Sequence, residues 1–129
     1  MQIKQVPFSD LNKCEGCTDE FNIILYNKPS IIYYGLFVNS DIVSVMAVEN
    51  KNGTHYKFRA NYTPKRFRRR GYGITLLENI SNIFNDKPVV AEANDWSVSM
   101  YLKTGFKVTA TRKCKYWTKY FMRKEAVQK

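Results

Sequence analysis

Arg68-Arg-Arg-Gly71-Tyr-Gly73-Ile74 decides the reading of this chain, because it sets three successive cations against two glycines at the start of a periodic segment. Downstream, Ile74, Leu76, Leu77, Ile80, Ile83 and Phe84 recur at spacings of three and four, while Glu78, Asn79, Ser81, Asn82 and Asn85 fill the other face. That is the period of an amphipathic helix. A helix N-terminus leaves backbone N–H groups without partners and carries partial positive charge, so an anion docked there gains hydrogen bonds and a favourable dipole interaction. Glycine lets a phosphate approach the backbone with no Cβ in the way. Lys65, Arg66, Arg68, Arg69 and Arg70 add cationic charge suited to phosphates. A glycine pair beside arginines is common by chance, so position is what gives this one weight.

Upstream of the loop the chain reads as strands. Ile31 to Val38 and Ile42 to Glu49 are β-branched, aromatic or aliphatic almost throughout, with Asn39-Ser-Asp41 as the turn between them. Asn50-Lys-Asn-Gly53 is a second turn, and His55 to Tyr62 alternates. A strand there would place Tyr56, Phe58, Ala60 and Tyr62 on one face and His55, Lys57, Arg59 and Asn61 on the other. Residues 2 to 6 predict a first strand, and Ser9 and Thr18 are candidate N-caps for short helical pieces ending before Pro29. Downstream of the helix, Pro88 to Ala93 is a short buried strand, and Asp95 to Lys103 a second helix with Gly105 in the C′ position. Phe106 to Lys113 and Lys115 to Lys124 close the fold as a last strand pair. The expected architecture is α/β: a mixed, mostly antiparallel sheet flanked by helices.

A second motif supports the first. Asn94-Asp-Trp-Ser97-Val-Ser-Met-Tyr101-Leu-Lys-Thr-Gly105-Phe106 places Ser97 and Tyr101 one helical turn apart on one face. With the Arg68 to Gly73 loop, it resembles the GNAT acetyltransferase superfamily. The loop has that family's Arg/Gln-x-x-Gly-x-Gly/Ala pattern between the fourth strand and the long helix. The downstream run resembles Asn-x-x-Ala-x-x-x-Tyr-x-x-x-Gly-Phe, with Ser97 in place of alanine. The two motifs span about residues 58 to 106, and the order of the remaining elements agrees.

The resemblance implies central strands that splay apart to form a cleft, acetyl-CoA as co-substrate, and transfer of its acetyl group to a primary amine of a small molecule, peptide or protein. It implies that backbone near Ala60, Asn61 and Tyr62 contacts the thioester, and that amides from Arg69, Arg70, Gly71, Tyr72, Gly73 and Ile74, together with Arg68, hold the pyrophosphate. Tyr101 matches the tyrosine that donates a proton to the CoA sulfur, and a phenol of pKa ~10 is protonated at neutral pH as an acid must be. Packing of Tyr101 on Phe106 is its purely structural reading. Asn94 and Ser97 would lie against the cofactor; Asn94 or Asp95 caps the following helix. His55 and Glu92 are the candidates for a general base, beside a water relay.

Bulk properties narrow the field. The chain has 129 residues, enough for one core, so a single domain over residues 1–129 is expected. A mean hydropathy of -0.44 and the absence of an apolar run near ~18 residues argue against a membrane span. No basic, apolar and small-residue succession marks the N-terminus as a signal peptide, so the cytoplasm is the expected compartment. Three cysteines, an odd number, fit reduced thiols better than a disulfide framework. Cys14-Glu-Gly-Cys17 is half of a zinc site without the other half, and no metal is expected. The formal charge of +10 points to a polyanionic partner. A phosphate-rich cofactor satisfies it; so does nucleic acid, because Arg112 to Lys124 interleaves cations with aromatics, although the alternation there favours an ordinary final strand pair with aromatics toward the core and lysines toward water. The readings are ranked as an amine acetyltransferase, acting as monomer or homodimer, then an enzyme of the same fold modifying nucleic acid with another acyl donor, then a non-enzymatic basic nucleic-acid-binding module.

Overall fold

The computed structural model describes residues 1–17 and 27–127. Seven strands form one mixed sheet: β1 (Gln2–Val6), β2 (Ile31–Val38), β3 (Asp41–Lys51), β4 (His55–Tyr62), β5 (Val89–Ala93), β6 (Lys107–Lys113) and β7 (Thr118–Lys124). The spatial order is β1-β2-β3-β4-β5-β7-β6. Every neighbouring pair is antiparallel except β4 and β5. Helices α1 (Tyr72–Ile83) and α2 (Val98–Lys103) follow β4 and β5. The α/β class expected from the sequence is the one observed.

Local chemistry accounts for the hairpins. Asn39 and Ser40 both have positive φ, as do Asn52 and Gly53, which is the backbone signature of the type I′ turns that match strand twist. The apolar residues of β2 and β3 divide between two cores. One core, on the α1 side, holds Leu36, Met46, Val48, Phe58, Leu76, Leu77 and Ile80; the other holds Val6, Leu11, Cys14, Cys17, Tyr33, Val45 and Tyr62.

Three expectations about the elements are corrected. The first short helix is a 3-10 turn, Phe8–Lys13, with Pro7 at its N-cap and no side-chain cap, so Ser9 is not the cap; Thr18 lies outside the described residues. Proline's fixed φ suffices to start so short a turn. The buried face of α1 is Leu76, Leu77, Ile80 and Ser81, whereas Ile83 is exposed. Ser81 is drawn inward because its hydroxyl accepts a 2.8 Å hydrogen bond from Lys124 Nζ. Finally, α2 begins at Val98, since the residues before it form the turn described below.

The correction that matters most concerns β4. Tyr56 and Phe58 pack in the α1-side core, but Tyr62 belongs to the opposite core, with Ala60 packed against it. Opposite β3, Ala47 pairs with Arg59 and Val45 with Tyr62, so Ala60 and Asn61 together face Met46. Two residues against one is a β-bulge, and it reverses the faces of everything beyond it. Ala60 takes φ 54 to make it. That left-handed conformation costs an L-residue ~1–2 kcal/mol. Surrounding contacts hold it: fully buried Ser44 donates a 3.2 Å hydrogen bond to the Tyr62 carbonyl and lies 3.0 Å from the Thr63 hydroxyl.

A β-branched side chain tolerates positive φ worse than alanine does, and glycine better. Ala60→Val is expected to lower the unfolding free energy in urea by about 1–3 kcal/mol, while Ala60→Gly stays within about 1 kcal/mol of the parent.

Candidate active site

The bulge separates β4 from its parallel neighbour. Tyr56, Lys57 and Phe58 pair with Val89, Val90 and Ala91, and there the ladder stops. Beyond it, Glu92 and Ala93 of β5 keep only their partners on the opposite edge, Phe121 and Tyr120 of β7, which pairs with β5 along its whole length. The β5-facing backbone groups of residues 59 to 62 are left on the wall of a cavity of about 500 Å³. Its first wall runs from Phe58 to Thr63. Arg68 and Gly73 form the second, and Glu92, Asn94, Trp96, Ser97, Met100 and Tyr101 the third.

The second wall is the start of α1. Gly71 is its N-cap, with φ 78, and no side chain caps the helix. The first intrahelical bond runs from the Thr75 N–H to the Gly71 carbonyl at 3.0 Å, which leaves the Tyr72, Gly73 and Ile74 N–H groups without a helical acceptor. Arg69, also at positive φ, Arg70, Gly71, Tyr72 and Ile74 form the adjoining turn, not the cavity wall itself. Several of the loop's cations have structural work. Arg68 Nε donates to the Thr63 carbonyl at 2.9 Å, and Arg66 Nε to Glu15 at 2.8 Å.

Asn94 organises the third wall. Its Oδ1 accepts from the N–H groups of Trp96 and Ser97, both at 2.9 Å, and from the Ser97 hydroxyl at 3.1 Å; the Asn94 N–H donates back to Ser97 Oγ at 3.1 Å. Asn94 thus caps the turn entering α2, and Asp95 does not. The Asp95 carboxylate instead accepts from the Thr118 N–H at 3.1 Å and the Tyr120 hydroxyl at 3.0 Å, pinning this loop to β7.

One turn after Ser97, Tyr101 faces the cavity while its ring packs edge-on against Phe106, with centroids 5.2 Å apart. Its catalytic and structural readings are compatible in this geometry. Burial pushes its phenol up to about 12, and among the described residues the hydroxyl has no hydrogen-bond partner.

The two base candidates separate. Glu92 lines the cavity but lies between Lys57 at 3.3 Å and Lys119 at 3.2 Å. Desolvation pushes its carboxyl up; the hydrogen bond from Lys119 and the pairing with Lys57 outweigh it and leave the group below the usual carboxylate range. His55 stands at the other end of β4, where its Nδ1 is 2.8 Å from the Thr54 hydroxyl, and it does not line the cavity. Trp96 and Met100 are wall residues the sequence reading missed. The signal for Met100 was present, since it lies three residues after Ser97 on the face shared with Tyr101.

The wall suits a slender ligand ending in phosphates. A Cβ built on Gly73 would lie 3.4 Å from Thr63 Oγ1 and 3.6 Å from Met100 Sδ, so any side chain there would occupy the cavity. The Asn61 Nδ2, at the bulge, is a buried donor with no acceptor among the described residues. Among the described residues no cluster of three or more metal-ligating side chains occurs, and no helix is long and apolar enough to cross a membrane.

Comparisons with known proteins agree with this architecture. The profile of the acetyltransferase (GNAT) domain matches residues 22–126. The fold is similar to that of the ribosomal-protein-S18-alanine N-acetyltransferase from Escherichia coli, at 13% identity and a TM-score of 0.81, over 99% of this chain and 95% of that one. A spermidine N-acetyltransferase variant from Vibrio cholerae has 11% identity and a TM-score of 0.79, over 97% of this chain and 95% of its own. An aminoglycoside 6'-N-acetyltransferase complexed with coenzyme A has 10% identity and a TM-score of 0.75, over 100% of this chain and 99% of its own. No protein with a curated description matches the sequence significantly. At these identities the solved structures establish the fold, while the profile covers most of the sequence. The chain belongs to the GNAT acetyltransferase family, whose acetyl donor is acetyl-CoA.

Proposed function

We propose that the protein transfers an acetyl group from acetyl-CoA to a primary amine of a small molecule, peptide or protein, as a single domain in the cytoplasm. The observation that carries this reading is the convergence of three features on one cavity: the bulged end of β4, the uncapped start of α1, which reaches the wall at Gly73, and Tyr101. When bound, acetyl-CoA supplies an activated acyl group whose thiolate can leave.

The chain's residues divide the remaining work. N–H groups of Tyr72, Gly73 and Ile74, with the positive end of α1 and the nearby arginines, hold the pyrophosphate. Backbone of Ala60 to Tyr62 faces the thioester carbonyl and stabilises the negative charge that develops on its oxygen; such preorganised donors are commonly worth ~3–4 kcal/mol of barrier. Asn94 and Ser97 stiffen the third wall by their mutual hydrogen bonds. Tyr101 directs its proton at the departing sulfur.

A phenol held at about 12 is protonated throughout the neutral range. Against a thiol pKa of ~8.5, complete transfer of that proton to a free thiolate would be uphill by several kcal/mol, at ~1.4 per unit. Tyr101 therefore acts chiefly by donating a hydrogen bond as charge builds on sulfur. Glu92, held ionised by two lysines, is a weak proton acceptor, and His55 is remote. Water at the open cavity mouth takes the acceptor's proton in this scheme.

Acetyl-CoA is expected to raise the melting temperature and to titrate with measurable heat; no shift and no heat would contradict the assignment. Gly73→Val should abolish both effects while the protein alone still melts cooperatively. In an acceptor screen of amino acids, peptides, polyamines and aminoglycosides, Tyr101→Phe should lower kcat by about 10- to 100-fold with the KM for acetyl-CoA within about 2-fold, because the lost bond strengthens only as the sulfur leaves. The pH profile carries a sign. Deprotonation of Tyr101 would remove the donor and give a falling limb, but only near pH 12 for a phenol raised to about 12. The rate should thus rise with the acceptor amine's own ionisation and show no fall below pH 10. A falling limb near pH ~10 that disappears in Tyr101→Phe would show that the phenol titrates in the ordinary range.

A further inference from the structure

The corner of the molecule where β6 turns into β7 carries charge and aromatic surface that the acetyl-transfer scheme does not use. From Trp96 to Lys124 the chain has eight cations, Lys103, Lys107, Arg112, Lys113, Lys115, Lys119, Arg123 and Lys124, and no Asp or Glu. Not all are available. Lys124 is tied to Ser81 and the Thr104 carbonyl, Arg123 to Glu125, and Lys119 to Glu92. Arg112, Lys113 and Lys115 are exposed and form no ion pair among the described residues.

Two rings accompany them. Tyr116 is 84% exposed and Trp96 79%, a costly way to display aromatic surface unless something covers it. Their placement is not floppy. Cys114 N–H bonds the Trp117 carbonyl at 2.8 Å to close the hairpin tip, and Asp95 clamps Thr118 and Tyr120. The segment bearing Tyr116 and the segment bearing Trp96 are thereby joined at one corner. Trp96 also lines the reaction cavity, so the corner adjoins its mouth. The acids nearby, Asp95 and Glu92, are engaged in the bonds just given, and the tip is left with net positive charge.

We propose that this corner binds a single strand of nucleic acid, with bases stacking on Tyr116 and Trp96 and the backbone following Arg112, Lys113 and Lys115. Unpaired bases offer faces to rings, and the phosphates between them meet the cations. The alternative role for cations on an exposed edge strand is to discourage pairing between sheets, which needs Lys113 and Arg112 but not a solvent-facing Tyr116. The inference stands apart from the acetyltransferase reading, since it uses none of the loop around Gly71.

The test is fluorescence anisotropy of a fluorescein-labelled 15-residue oligodeoxythymidylate with the full chain, titrated at several KCl concentrations. Binding should weaken with salt at a log–log slope of about 2, at ~0.7 per phosphate contact for three cations. Tyr116→Ala should weaken binding by roughly ten-fold with the slope unchanged, and Lys113→Glu with Lys115→Glu should weaken it further and flatten the slope. Tyr116→Phe, which keeps a stacking face, should bind like the parent. Both Ala and Glu variants should keep the parent's melting shift with acetyl-CoA, which separates loss of this surface from loss of the fold or of the donor site. No binding at 50 mM KCl would overturn the proposal. So would tighter binding of a duplex of equal length, or Tyr116→Ala binding as the parent does.

Discussion

The cavity of this fold opens where β4 loses its β5 partner beyond Phe58. A parallel pair normally continues for as long as both strands stay straight, and their backbone groups are then consumed in the ladder. Here the pair Ala60 and Asn61 sets two residues against Met46, bends the strand and turns its last residues toward the other core. Strand β5 keeps β7 on its far side, while the β4–β5 ladder goes no further than Phe58 and Ala91. Residues 59 to 62, released from the β5 ladder, line the cavity instead. The structure keeps the strained Ala60 because its neighbours are anchored: Ser44 bonds the Tyr62 carbonyl, and the Tyr62 hydroxyl donates to the Glu15 carbonyl at 3.0 Å. Strain stored at a site and held by surrounding contacts is a common mark of function.

The Cys14 to Cys17 turn therefore acquires a part in holding the end of β4. It carries the Glu15 carbonyl that fixes Tyr62 and the Glu15 carboxylate that pairs with Arg66 at 2.8 Å. The two thiols are buried and hydrogen-bonded to one another, which holds Cys14 well above the usual thiol range, burial adding to the effect, and lowers Cys17. Charge in the basic loop is likewise partly architectural. Arg66 and Arg68 brace the approach to α1, and the phosphate-binding potential rests more on backbone N–H groups and the helix dipole than on counting arginines.

Much of this was legible beforehand because it depends on local chemistry. The Gly71 and Gly73 loop, the β2 and β3 hairpin with its Asn39-Ser40 turn, and the Ser97 and Tyr101 spacing each show as short-range pattern, and each stands where it was expected. What escaped was set by distant partners. Strict alternation from His55 to Tyr62 hides a bulge, because an alanine at φ 54 leaves no mark in the sequence as glycine would. Ser81 turned inward because Lys124, 43 residues away, donates to it. His55 stands where the sequence placed it, at the start of β4, but the bulge lies at the strand's other end and the cavity does not reach it.

The central claim is that backbone N–H groups at the bulge and at the start of α1 together grip the donor. Hydrogen exchange of individual amides, with and without coenzyme A, reads those groups directly. Slowed exchange at residues 60 to 62 and at Tyr72, Gly73 and Ile74, with the β6 edge unchanged, is the expected result. Unchanged exchange at both sites under saturating coenzyme A would contradict the account.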